Sequence, residues 1–207
     1  VATNGNIAIG GNGRQFCIID SNAVIRGKTK VKGWVMHSKP VETPDHQVVV
    51  GTYKKLIYSV DTLCNINWTY KAGGRIHSSM LLTPDGNIVF GSFDGGVYAI
   101  RQNGQLVNRF NTGKRVVSSA TMVDDSVLAI CGISKCIYFL DTKCNKLASI
   151  ECDGKFFSTP VVMHDGTVFC CTMNGILYFF SKALIDDIVN NRLDITVTGR
   201  PFSLVIN

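Results

Sequence analysis

Short apolar runs alternate with clusters of Gly, Asn, Asp, Ser and Pro along almost the whole chain. VVVGT (48–52), IVFGS (88–92), LAICG (128–132) and VFCCT (168–172) are followed in turn by LIYSVDT (56–62), GVYAIRQ (96–102), CIYFLDT (136–142) and ILYFFSK (176–182). A third run precedes each pair after the first: HSSMLL (77–82), VSSATM (117–122) and FSTPVV (157–162). The runs are short and rich in Val, Ile, Phe and Tyr, as strands are, and turn signals such as Pro84-Asp85-Gly86, Asn103-Gly104 and Asn174-Gly175 separate them. Apolar spacing of three and four is missing, except over SKALIDDIVNN (181–191), where a helix replaces the last turn between third and fourth strands.

The period is 40 residues: Tyr58, Tyr98, Tyr138 and Tyr178 mark it. A degraded first copy, IAIGG (7–11), FCIIDS (16–21) and HSKPV (37–41), stays in phase with a single-residue gap. Each copy reads as four strands, here A (the SSxxLL type), B (the VVVG type), C (the Tyr strand) and D (for example 66–70 or 106–110). Four strands per ~40 residues is the signature of a β-propeller blade. The fold expected is all-β: one β-propeller domain over 1–207, with repeats at about 5–44, 45–84, 85–124, 125–164 and 165–207. The order begins with B and ends with A, so the strand at 200–206 is in phase to complete the first blade. A closed five-bladed ring and an arc of a larger propeller both fit this order.

VVVGTYKKLIYSVDTLCNINWTYKAGG (48–74) and IVFGSFDGGVYAIRQNGQLVNRFNTGK (88–114) resemble the pyrroloquinoline-quinone (PQQ) repeat family. That family's pattern is an apolar strand ending in Gly-Ser, a small polar turn, Leu-Tyr-Ala-Leu-Asp, a Thr-Gly-Lys-like turn and then Trp. The resemblance covers nearly the whole chain. The Trp survives only as Trp68, with Asn108 and Ala148 at its equivalents, and the turn Gly only as Gly104. The interlocking Trp contacts that the resemblance implies are therefore not expected to run round the ring. The family's enzymes need a cofactor cage, a Ca²⁺-binding carboxylate set and a catalytic Asp, none of which has a place on this chain. No cofactor, metal site or catalytic residue is expected, and no GxSxG, HExxH or P-loop is present.

Composition excludes a disordered chain: 207 residues are 45% hydrophobic and 17% charged, with 5 Pro. No apolar run is long enough for a membrane span. Val1 to Gly5 show neither an initiator Met nor a signal-peptide pattern, as expected for a processed chain or a piece of a longer one. Eight cysteines without a CxxC pair suit small buried residues in a reducing compartment, hence an intracellular, cytoplasmic location. Cys170-Cys171 lies within a B strand, where successive side chains face opposite sides.

The net charge of +6 gains meaning once it is sorted by loop. In a propeller the D–A and B–C loops share one face, and the A–B and C–D loops share the other. Arg14, Lys28, Lys30, Lys32, Lys54, Lys55, Lys71, Arg75, Lys114, Arg115, Lys135, Lys155 and Arg200 fall on the first face, against Asp94, Glu151 and Asp153. The second face collects Asp20, Asp61, Asp85, Asp124, Asp141 and Asp165. Arg75, Arg115 and Lys155 recur every 40 residues, and Arg200 takes the same place in the longer last copy. With hydroxyls from Ser78, Ser118, Ser158 and Ser203 just inside, these cations form a candidate anion site at the channel mouth. The competing reading is that inner strands use small polar residues because they crowd at the axis.

The functional expectation is a non-catalytic binding or scaffolding module that offers a basic face to a protein or an anionic ligand. A lectin-like propeller, and a fragment of a PQQ-dependent dehydrogenase or accessory propeller of a larger enzyme, are the alternatives. Nucleic acid is a sub-case of the anionic partner, because no basic and aromatic residues interleave along the sequence as in known nucleic-acid modules. His37 and His77, also 40 apart, are expected to pack rather than bind metal.

Overall fold

The computed structural model describes residues 5–35 and 37–197, which form five sheets in chain order. The first is β1 (Ile7–Gly10), β2 (Gln15–Ile19) and β3 (Ile25–Lys30). The second is β4 (Val41–Glu42), β5 (Val48–Gly51), β6 (Leu56–Val60) and β7 (Ile66–Lys71). The third is β8 (Leu81–Leu82), β9 (Ile88–Gly91), β10 (Gly96–Ile100) and β11 (Leu106–Asn111). The fourth is β12 (Thr121–Met122), β13 (Val127–Cys131), β14 (Cys136–Asp141) and β15 (Lys146–Glu151). The fifth is β16 (Val161–Val162), β17 (Val168–Cys171) and β18 (Leu177–Phe180). The strand proposed to close the ring, 200–206, lies outside the described residues, as do Arg200 and Ser203.

Burial follows position in the blade. The B strands β5, β9 and β13 and the C strand β10 are buried throughout, so they read as continuous apolar runs. The D strands β7 and β11 alternate between half-buried and exposed residues. Apolar side chains fill the space between consecutive sheets: Phe16, Ile18 and Val50 between the first two, Ile57, Ile76 and Phe90 between the next two. Leu128, Ile130 and Val97 join the third sheet to the fourth, and Ile137, Phe139 and Phe180 join the fourth to the fifth. Among the described residues no such cluster links the fifth sheet to the first.

The inner A strands are shorter than the sequence pattern suggests, because a side chain replaces part of the ladder. Only Leu81–Leu82 of 77–82 pairs as a strand, with a single bridge from Ile76 to Ser92 upstream. Between them the Ser78 hydroxyl accepts from the Gly91 amide at 2.7 Å and donates to the Gly91 carbonyl at 3.0 Å. Ser118 makes the same pair of bonds to Cys131, and Ser158 donates to the Cys171 carbonyl. Neighbouring A segments are stitched by the adjacent hydroxyl. Lys39 donates its amide to Ser79 Oγ, Ser79 to Ser119 Oγ and Ser119 to Thr159 Oγ1, at 2.8–3.1 Å.

The last repeat departs from the expected four strands. The helix does replace the C–D turn, as α1 (Lys182–Asn190), capped by Ser181, whose Oγ accepts the Leu184 amide at 3.3 Å. The chain then runs as β19 (Asp194–Thr196) alongside β15 in parallel, so the fourth sheet gains a fifth strand, and among the described residues β18 gains none. Ile185 and Ile188 bury on the fourth and fifth blades' core and carry the chain across; Lys146 and Ser149 hold Asp194 at 2.6 and 2.7 Å.

The Trp contact survives once and is replaced once. Trp68 donates its indole hydrogen to the Gln102 carbonyl at 2.7 Å, and its ring lies where a Cβ on Gly104 would stand 2.8 Å from it. One blade later, Asn108 reaches the Cys144 carbonyl with an amide instead.

Candidate functional site: the aromatic and cationic mouth

The loops divide between two faces as the blade pattern requires. On one face each D–A loop is hooked by the next blade's B–C turn. Tyr53 donates its amide to the Trp34 carbonyl, Phe93 to Arg75, Ile133 to Arg115 and Met173 to Lys155, at 2.8–3.3 Å. The recurring tyrosines, all under 9% exposed, hold these loops from beneath. Tyr58 accepts from the Lys32 amide, Tyr98 from Gly73 and Tyr178 from Asp153, while Tyr138 donates to the Thr112 carbonyl. On the other face, Gln102 donates to the Gly86 carbonyl and Thr142 to Asp85. Turn carboxylates there cap backbone amides. The Val24 amide on Asp20 and the Thr167 amide on Asp165 are the leading causes holding both acids below the usual carboxylate range.

These hooks place Trp34 at the same blade position as Arg75, Arg115 and Lys155. The spacing to Arg75 is 41 rather than 40, because the first copy's extra residue falls between Val35 and His37. Val35 and Ile76 still correspond, since their amides bond to Gly11 and Thr52, while His37 and His77 stack at 4.4 Å.

Rings and cations then interleave across the mouth. The Arg75 guanidinium sits 5.9 Å from the Tyr53 ring centre and Arg115 sits 5.7 Å from Phe93. Between them run Trp34–Tyr53 at 6.1 Å, Tyr53–His77 at 6.1 Å and His77–Phe93 at 5.9 Å. Trp34 remains 46% exposed. A cavity of about 500 Å³ opens beside it, walled by Trp34, Tyr53 and Gly33 and rimmed by Arg14, Lys54, Lys55 and Arg75. None of these lining residues is acidic. A hollow of about 410 Å³ on the opposite face is lined by Asp124, Asp141 and Asp186 among others.

Two of the rim cations sit where the backbone favours glycine. The fourth residue of each B–C turn takes a left-handed φ: Gly95 at 84° and Gly175 at 79°, but Arg14 at 56°, Lys55 at 68° and Lys135 at 67°. A side chain there costs about 1–2 kcal/mol relative to the right-handed region.

The structure separates the sequence candidates. Arg75 and Arg115 stand on aromatic rings at the mouth. Lys155 holds the equivalent place, but Ile133 stands where Arg75 and Arg115 have Tyr53 and Phe93, so it has no ring at that position. Ser78 and Ser118 are buried and their hydroxyls, like that of Ser158, bond to strand backbone. Among the described residues no three or more His, Cys, Asp or Glu side chains gather as a metal site. Trp34, Tyr53 and Phe93 were not among the candidates. Tyr53 and Phe93 carry a 40-residue signal, but they lie in turns, and Trp34 is one residue out of phase.

No family model matches the chain, and no curated protein does. Among solved structures, BamB from Moraxella catarrhalis aligns with a TM-score of 0.73 at 16% identity, over 86% of this chain and 58% of that one. The C-terminal WD40 domain of Sif2 aligns with a TM-score of 0.75 at 16% identity, over 95% of this chain and 58% of that one. The chain is a β-propeller. It spans 58% of the length of each of these two structures, and the likeness is one of fold.

Proposed function

We propose that this β-propeller, with repeats of the PQQ type, is a non-catalytic binding module that receives an anionic ligand or an acidic segment of a protein at its D–A/B–C face. The observation that carries the reading is the pairing of Arg75 with Tyr53 and of Arg115 with Phe93, beside a cavity rimmed by four cations. A guanidinium resting on a ring keeps its hydrogen-bonding edge free for a carboxylate, sulfate or phosphate. Likeness of fold to BamB and to a WD40 domain is compatible with a binding role.

The test is titration of a labelled polyanion, heparin or polyphosphate, at ~0.05 and ~0.3 M salt, between which the Debye length falls from about 14 to about 6 Å. The expected result is saturable binding at low salt that weakens at least ten-fold at high salt. Lack of binding at low salt would overturn the proposal.

A further inference from the structure

The cavity between the first two blades has more chemistry than a general basic face needs. Trp34 offers a large exposed indole, and no cation covers it among the described residues, unlike Tyr53 and Phe93. Arg14, Lys54, Lys55 and Arg75 converge round the same space without an acidic residue in the lining. Two of the four, Arg14 and Lys55, keep left-handed backbone where glycine would be easier. The volume of about 500 Å³ is that of a small-molecule site.

We infer that this cavity is a binding site for a nucleoside phosphate unit, its base stacked on Trp34 and its phosphates held by Arg14, Lys54, Lys55 and Arg75. A planar ring and several negative charges on one ligand match one open aromatic face and four cations; an acidic peptide uses the cations and leaves the indole idle. Stacking accepts any base, and cations that hold phosphates do not read base identity. The lining residues carry no amide or carboxylate to read a base edge, so purine and pyrimidine nucleotides bind alike. Basic and aromatic residues do not interleave along the sequence because Trp34, Tyr53 and Arg75 come from different loops that meet only in space. The inference deepens the proposed function and rests on that face being the anion-binding one.

The chain has two tryptophans, so Trp68→Phe leaves Trp34 as sole reporter, and subtracting a Trp34→Phe titration from wild type gives the same readout if the first variant is unstable. ADP should quench Trp34 fluorescence saturably, and UDP should do so within threefold of the same concentration. Pyrophosphate should compete without quenching, and adenosine should bind at least ten-fold more weakly. Lys55→Gly should weaken ADP binding at least five-fold. A single-stranded hexanucleotide that binds more tightly than ADP assigns the unit to a strand; equal or weaker binding assigns it to a free nucleotide, and both outcomes uphold the site. Heparin binding without saturable ADP quenching would overturn this inference and leave the proposed function standing. Polyaspartate displacing ADP more effectively than pyrophosphate would also overturn it, in favour of an acidic segment. Absence of both heparin and ADP binding would overturn both.

Discussion

Trp34 and Arg75 hold the same position in consecutive blades: each carbonyl accepts the amide hydrogen of the aromatic residue in the next turn, Tyr53 at 3.0 Å and Phe93 at 2.9 Å. The backbone thus treats an indole and a guanidinium as equivalents, and the side chains diverge in what they offer. Arg75 lies against Tyr53, whereas Trp34 stays open to the cavity. A repeated scaffold therefore carries a mouth that is not repeated, concentrated on the first three blades.

The left-handed turn residues separate stability from binding. Replacing Lys55 or Lys135 by Gly relieves roughly 1–2 kcal/mol of backbone strain and adds about 0.5–1 kcal/mol of unfolded-state entropy. Both variants are expected to unfold in urea at the wild-type midpoint or slightly above it. Only Lys55→Gly should weaken polyanion binding, since Lys135 does not line the cavity. Equal weakening by both would mean that net charge alone governs binding.

Tyr98 links the core to the mouth. Its hydroxyl donates to Asp94 at 2.5 Å and accepts from the Gly73 amide at 3.1 Å, two residues before Arg75. Tyr98→Phe leaves both groups without that partner, at a cost of about 1–3 kcal/mol. Urea unfolding should register the loss. Polyanion affinity should fall less than in Arg75→Ser, because the cation remains while its loop loosens.

Acid should act on the mouth before it acts on the turns. Burial pushes the His77 pKa below its ordinary value; the bond to the Val117 carbonyl opposes this, and nearby His37 adds to it. The unfolded chain then takes up its proton near the ordinary value of about 6.5, and the folded chain takes it up only at lower pH. The stability held by neutral His77 is complete above about pH 6.5 and is lost as pH falls from there through the folded value. Unfolding measured at pH 7.5 and 5.5 should show this loss, and His77→Gln should flatten it. Greater stability of the wild type at pH 5.5 would contradict the assignment.

The period, the tyrosines and the turns were legible in the sequence because each is a local rule repeated every 40 residues. The A strands were overestimated because apolar pattern cannot show that Ser78 and Ser118 bond to Gly91 and Cys131 in place of backbone. The path of β19 was hidden for a related reason: Asp194 is set by Lys146 and Ser149 of another blade. At the mouth, the 40-residue recurrence of Arg75 and Arg115 was visible, but their rings lie 22 residues upstream, in the B–C turns of the blades whose last strands lead into them. Trp34 was out of phase by the residue inserted after Val35.

Two charge-matched double variants test the central claim most directly. Arg75→Ser with Arg115→Ser removes two cations from the mouth, and Arg101→Ser with Lys143→Ser removes two from the exposed C–D turns of the opposite face. Heparin affinity is measured for both at ~0.15 M salt, where the Debye length of about 8 Å suppresses distant charges. The account predicts at least a ten-fold loss in the first variant and less than a two-fold change in the second. Equal loss in both would contradict it.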